Sequence, residues 1–373
     1  MKQAFQQFCK LLSSNLNEQD FLEIDWGALV TQAEQHRLSA HLLHQIAELY
    51  VKVPQKELRR LKKQAENAKF KMLVLSREAA ILAAKFEVQN LEVLFLKGPV
   101  QSYQIYQDFT VKSSRDLDIL VKPSSINKAI DTLLNQGYQL ISPFLELTAK
   151  QQAYFIKHYN QLVFFHSERR VQVELHWSLF VNRQLLDFTF TELQASAVSI
   201  QIGKQVVKGL GSTHMKLYLL AHGAKHAWSE IYWLKELTDL MEKKKGDRKE
   251  FLNLAKRKGL QQLLYQYLLL IKHLLGKKLE EDLIIKGKGD QKAIWLYQQS
   301  LIEMQQIKKS KGLVAYTKAL RYKISLKKSW AYKTDYFKAF TINDFLLIKL
   351  PDSLFFLYYF LRPFLWIKRY ILK

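Results

Sequence analysis

The chain has 373 residues, 48% of them hydrophobic and 13% aromatic, which is enough to bury cores in two or three packed units and excludes a mainly disordered protein. Lysine and arginine number 57 against 34 acids, a formal charge of +23 that favours polyanionic partners, either nucleic acid or an anionic membrane surface, beside the plainer reading of a solvated lysine-rich surface. Cys9 is the single cysteine, so an internal disulfide and a thiolate metal cluster are excluded.

The first residues, MKQAFQQFCKLLSS, have glutamines where a secretory signal needs an apolar core, and no stretch of about 18 uninterrupted apolar residues occurs. The expectation is a cytoplasmic protein without a transmembrane segment. Residues 1–50 carry apolar side chains at helical spacing, with Phe5, Phe8, Leu11 and Leu12 on one face and Leu38, Leu42, Leu43 and Ile46 repeating it later. Asn17 or Asp20 would cap the intervening segment, and His36 and Arg37 read as helix-surface or satisfied core residues without chemistry. Pro54 opens a long helix from about Lys56 to Gln89, whose second half, Met72 to Phe86, is apolar enough to pack on a sheet.

A short strand, Val93 to Leu96, leads to Lys97-Gly98-Pro99 and a helix through Tyr106. Gly98 is free to take an unusual backbone angle, and Pro99 suits a first helical turn whose amides would face a triphosphate. Asp108 to Ser114 reads as a loop that sets Arg115 at the mouth of a site. Arg115-Asp116-Leu117-Asp118 then runs into Ile119-Leu120-Val121, a strand closed by Pro123. Successive side chains of a strand point to opposite faces, so Asp116 and Asp118 share one face about 7 Å apart and can turn onto the same divalent cation.

Ser124 and Ser125 cap a helix that Gly137 ends. Residues 138–142 and 160–166 read as strands, and Ser167-Glu168-Arg169-Arg170 is a hairpin loop into Val171 to Trp177. Alternation puts Val171, Val173 and Leu175 on the buried face, and Gln172, Glu174 and His176 on the other. If this strand pairs beside the first, Glu174 joins the two aspartates. Edge strands are expected at Val198 to Ile202 and near Val206, and only helices from Thr213 onward, with Gly276 to Asp290 as a basic linker. The end, from Phe345 to Lys373, interleaves aromatic with basic residues, and Pro363 should break any helix there. It suits a membrane interface, or else packs on the helical region as core.

Phe95-Leu96-Lys97-Gly98, Tyr106, the block Arg115 to Val121, and Glu174-Leu175-His176-Trp177 together resemble the uncharacterised nucleotidyltransferase-like family of the polymerase-β superfamily. Relatives include Lys-Gly type nucleotidyltransferase toxins of abortive-infection and toxin–antitoxin systems. Ala221-His222-Gly223-Ala224-Lys225-His226-Ala227-Trp228, followed by Trp233-Leu234, is similar to the family's C-terminal helical motif, so the likeness spans roughly residues 30–245. The sequence departs from the wider superfamily in having Pro99 where a serine usually follows the glycine, so Lys97 would supply charge in place of a hydroxyl.

The resemblance implies an α+β protein. A nucleotidyltransferase domain with a small mixed sheet (67–211) would lie between an N-terminal helical region (1–66) and a C-terminal helical domain with a basic, aromatic tail (212–373). It implies Mg²⁺- or Mn²⁺-dependent transfer of a nucleoside monophosphate from a nucleoside triphosphate such as ATP to a hydroxyl acceptor, which could be tRNA, protein or a small molecule. Asp116, Asp118 and Glu174 would be the catalytic metal ligands, Lys97, Gly98 and Arg115 the nucleotide contacts, and His176 would orient the acids from behind. His222 and His226 share a helix face at zinc-compatible spacing, but without the acid of a zinc protease they read as packing or substrate contacts. Two other readings remain. One is a glycosyltransferase using Asp-x-Asp, against which the helical first ninety residues count. The other is a non-catalytic nucleotide-binding scaffold at a membrane, with the tail at 345–373 making the peripheral contact.

Overall fold

A computed structural model describes residues 2–12, 24–277, 279–306, 312–336 and 340–370. Asn17 and Asp20, proposed above as caps, lie outside them; the helix that follows is capped by Asp25, whose carboxylate accepts from the Ala28 amide. Three short helices, α1 (Lys2–Leu11), α2 (Trp26–Gln35) and α3 (Ser39–Glu48), precede the 34-residue α4 (Gln55–Val88). Pro54 stands just before α4, where its missing N–H costs no helical bond.

The centre of the chain is a seven-stranded mixed sheet in the order β3-β4-β5-β2-β1-β7-β6. Its members are β1 (Val93–Phe95), β2 (Asp116–Val121), β3 (Gln139–Leu140), β4 (Gln161–His166), β5 (Val171–His176), β6 (Val198–Ile202) and β7 (Gln205–Gly209). β2 and β5 pair in parallel, as do β1 and β7, while the other neighbours are antiparallel. Between strands run α5 (Pro99–Tyr106), α6 (Ile126–Asn135), α7 (Ala149–His158) and α8 (Phe190–Ala195). The C-terminal half of α4 covers one face of the sheet: Met72, Leu75, Ala79, Leu82 and Phe86 are buried in one cluster with Leu117, Ile119, Val173 and Leu175. Burying side chains of this size contributes about 1.5–3 kcal/mol each, which holds the sheet flat against the helix.

Beyond the sheet come α9 (Ser212–Lys225), α10 (Ile231–Lys243), α11 (Arg248–Arg257), α12 (Gln261–Leu275), α13 (Glu281–Gly289), α14 (Gln291–Met304), α15 (Leu313–Ser325), α16 (Trp330–Asp335), α17 (Ile342–Leu347) and α18 (Leu357–Tyr370). Helices α9 to α12 share a second apolar cluster with α1, α2 and α3. Thus the two ends of the family-like region close onto each other over the sheet's other side.

Two expectations are corrected. Gly276 to Asp290 is not a linker throughout, because α13 occupies most of it. Glu281 and Asp282 in its first turn and Lys286 and Lys288 in its last suit the helix dipole, and Gly287 is small because the Tyr265 side chain would lie 3.1 Å from any Cβ there. The chain also stays helical through Pro363. That residue is exposed, so water can satisfy a carbonyl left without its helical partner. The tail is partly core, as one reading had it, but Phe340, Phe345, Phe355, Tyr358 and Leu365 join the sheet's cluster and not that of α9 to α12.

Candidate active site

The site starts from strand register. Parallel pairing of β2 with β5 sets Asp118 directly opposite Glu174, and Leu120 opposite His176. Atoms of Asp118, Glu174 and His176 that can bind a metal all lie within 4.8 Å of one another, the single such grouping among the described residues. His176 Nε2 is 3.1 Å from Asp118 Oδ1 and 3.5 Å from Glu174 Oε2. Its other nitrogen, Nδ1, is 3.1 Å from the Asn160 amide, which also reaches the Ser178 carbonyl. An amide N–H donated to Nδ1 leaves the imidazole proton on Nε2, facing the acids. Gln161, the first residue of β4, donates to Glu174 Oε2 at 2.7 Å and fixes that carboxylate from the neighbouring strand.

Asp116 is set apart from this tight trio. It begins β2, half-buried, and interacts electrostatically with Asp118, Glu174, Lys97 and Arg37. Burial, reinforced by the Asp118 charge, pushes its carboxyl up to about 6. Burial would do the same to Asp118, but Lys97 and His176 together outweigh it and hold that carboxyl well below the usual range. The two aspartates of the motif are therefore unlike: one is held charged and the other is poised to take a proton.

Lys97 follows β1 directly. The amide of Leu96 donates to the Asp118 carbonyl at 2.9 Å, which carries the next side chain to the acids, and Lys97 Nζ stops 3.2 Å from Asp118 Oδ2. That approach is an ion pair but not a well-directed hydrogen bond, so Oδ2 keeps its lone pairs. Gly98 has φ 74°, a backbone few side chains adopt, and a Cβ there would meet the Asp116 carbonyl at 3.7 Å. Pro99 is the first residue of α5, as its position after Gly98 predicts. Arg115 is exposed at the entrance of β2.

Several groups around the acids are not foreseen by the sequence reading. Arg37, set aside above as structural, sits between α2 and α3 with φ 55°. It pairs with Glu230 at 2.8 Å, lies 4.8 Å over the Tyr232 ring and acts on Asp116. From α9 come Tyr218, which is hydrogen-bonded to Lys97, and Lys225, whose ammonium burial and the nearby Lys97 push down to about 8. Lys112 is buried against Glu236 and Gln101. The positions of Arg37 and Lys225 along the chain carry no local signal, and only the closure of α2, α3, α9 and α10 over the sheet brings them in; Lys112 precedes β2 in the chain, and Glu236 of α10 is what buries it.

His222 and His226 are neighbours, with ring centroids 4.7 Å apart and Trp233 5.3 Å from each. No acid joins them in a metal-sized group among the described residues. Trp228 folds back on Gly223 so closely that a Cβ there would come within 2.2 Å of the indole, which explains the glycine in this motif.

The sequence model of a family described as uncharacterised nucleotidyltransferases matches residues 23–276, more than half of the chain and all of the site. No curated protein matches. Among solved structures, an antigenic nucleotidyltransferase-like protein from Paracoccidioides brasiliensis is similar at 10% identity, covering 49% of this chain and 88% of that one with a TM-score of 0.30, too low to argue from.

Proposed function

The chain belongs to the uncharacterised nucleotidyltransferase family, and from that premise we propose that it is a cytoplasmic, Mg²⁺- or Mn²⁺-dependent nucleotidyltransferase with a polymerase-β-like catalytic domain at 67–211. It transfers a nucleoside monophosphate from a nucleoside triphosphate to a hydroxyl acceptor. The observation that carries this reading is the pairing of Asp118 with Glu174 across β2 and β5, beside Lys97 and within electrostatic reach of Asp116.

The residues fit a hard divalent cation. Carboxylate oxygens are its preferred ligands, one from Asp118 and one from Glu174 lie within 4.8 Å of each other and of a His176 nitrogen, and Asp118 Oδ2 is balanced by the Lys97 ammonium 3.2 Å away. Asp118 and Glu174 would hold it, with Asp116 completing the set and His176 orienting Asp118 through Nε2. When bound, the cation neutralises triphosphate charge and aligns the reacting phosphorus.

In the reaction, the acceptor oxygen bonds to the α-phosphorus, the bond from that phosphorus to the oxygen bridging to the β-phosphate breaks, and pyrophosphate leaves. The hydroxyl proton passes to a carboxylate. Glu174 has the position for this, and Asp116, with its raised affinity for a proton, is the second candidate. Lys97, Arg115 and Lys225 supply fixed positive charge to the phosphates, and the turn at Gly98 with the first amides of α5 gives them a backbone cradle. The acceptor class is left to the test: the +23 charge suits tRNA, and protein or small-molecule hydroxyls fit the same chemistry.

The test is transfer of label from the α-phosphate with Asp118→Asn as control, checked for folding by circular dichroism. Retained folding with lost transfer supports the assignment, and full transfer by the variant contradicts it.

A further inference from the structure

The last described helix has two apolar faces, and the fold uses only one. On the inner side, Phe355, Tyr358 and Leu365 are buried. Tyr358 takes hydrogen bonds from Gln151 and the Leu350 amide, and the Tyr154 ring of α7 packs on Phe340, Phe345 and Phe355 at 5.4–5.7 Å. Asp352, the sole acid between residues 345 and 373, is turned inward onto Thr148 and the Lys150 amide. The helix is thus anchored in a fixed rotation. On its outer side Phe360 and Phe364, with Phe356 in the turn just before its first residue, recur every four residues and are 72%, 70% and 54% exposed, with Tyr359 beside them at 54%. Four large aromatic residues on one arc, each at least half exposed among the described residues although Tyr359 also touches the Phe340 ring at 5.4 Å, are far more than the scattered surface apolars of an ordinary face.

We propose that this outer face of α18 is a peripheral membrane-binding surface that seats in the headgroup region of an anionic bilayer. Three features select lipid as the occupant. Phenylalanine and tyrosine on one face are the side chains that enter the interfacial layer, and Lys349 before the helix and Lys368 in its last turn are exposed cations that can meet lipid phosphates. Among the described side chains of this segment, Lys349 and Lys368 are exposed, Arg362 lies 5.6 Å over the Phe340 ring, and Asp352, the one acid, is turned inward, so the exposed charge is positive and complementary to a negative surface. The whole chain's +23 charge opposes a second copy docking on the same face and favours the anionic one. No helix among the described residues is long and apolar enough to cross a membrane, so the contact is one of lying on the surface. The inference stands independently of the nucleotidyl-transfer reading, since none of these residues belongs to the acid site.

The experiment is vesicle flotation with the full chain, comparing phosphatidylcholine vesicles with vesicles that also contain phosphatidylglycerol. The companion is the triple variant Phe356→Ser, Phe360→Ser, Phe364→Ser, whose folding is checked by thermal melting and whose exposed positions should leave the melt unchanged. Wild type should float with the anionic vesicles, and the triple variant's partitioning should fall by roughly tenfold or more, as loss of inserted apolar area requires. Equal flotation of the two proteins would overturn the proposal. So would failure of wild type to float, and a dimer in solution that the triple variant dissociates would then identify a second copy as the occupant.

Discussion

Lys225 is one residue of the site whose charge depends on pH near neutrality. Burial and the neighbouring Lys97 bring its ammonium down to about 8, so it is charged below that pH and neutral above it. If it serves the triphosphate as a fixed cation, kcat/KM for the nucleotide should fall as pH rises through about 8, and Lys225→Arg, which stays charged, should remove that limb of the profile. An unchanged alkaline limb in the arginine variant would take Lys225 out of the reaction. His176 calls for a different measurement. Its Nε2 faces Asp118 and Glu174, and Asn160 holds the ring from behind. Asn160→Ala should therefore lower kcat while leaving nucleotide affinity within about threefold, the signature of lost positioning and not of a lost contact. A proportionate loss of affinity would instead give Asn160 a part in binding. At this scale the sequence reading reached the acids and Lys97, because strand alternation projects Asp116, Asp118, Glu174 and His176 to one side. It did not reach Arg37, in the turn between α2 and α3, or Lys225, at the end of α9, which meet the acids only through tertiary closure, nor Lys112, which stands in the loop just before β2 but is turned inward onto Glu236 of α10.

At the scale of elements, two glycines are required for different reasons, Gly98 by its positive φ and Gly223 by close packing. Gly98 joins β1 to α5 at φ 74°, and replacing it by alanine costs about 1–2 kcal/mol in backbone strain alone. Because the same turn aims Lys97, Gly98→Ala should also reduce transfer. Gly223 is tighter: with the Trp228 ring within 2.2 Å of a would-be Cβ, Gly223→Ala should lower stability by about 1–3 kcal/mol in denaturant titration. A variant as stable as wild type would show that the indole has another place to go. The elements themselves were largely legible. The uninterrupted run of α4, the hairpin of β4 and β5, and the pair β6 and β7 all follow from periodicity and turn residues, although only β6 is the edge strand expected and β7 lies inside the sheet between β1 and β6. What misled was reading glycine and proline as punctuation alone. Gly287 lies inside α13 because Tyr265 needs the room, and Pro363 lies inside α18 on an exposed side where a lost hydrogen bond is cheap. Composition cannot distinguish a glycine kept for close packing from one kept for a turn.

For the whole molecule, the parallel pairing of β2 with β5 is the joint on which everything turns. Strand order is a long-range property: Asp118 and Glu174 are brought opposite each other across an intervening α6, β3, α7 and β4, and strand alternation could offer that pairing only as a condition for Glu174 to join the aspartates. The helical ends then cover the acids and furnish cations, which is why the site needs residues from Arg37 to Lys225. The surplus charge acts over a still longer range. Whatever polyanion the protein engages, that association should weaken steeply as salt is raised, as counterion release requires.

The most direct test of the account is to incubate the purified chain with each nucleoside triphosphate labelled at the α-phosphate, with Mg²⁺ or Mn²⁺, and with total RNA or cell lysate, beside Asp116→Asn and Asp118→Asn. The account expects label in one acceptor class with wild type alone and none with either folded variant. Nucleotide bound with metal but never transferred would leave a binding protein in place of an enzyme, and equal labelling by the aspartate variants would contradict the site.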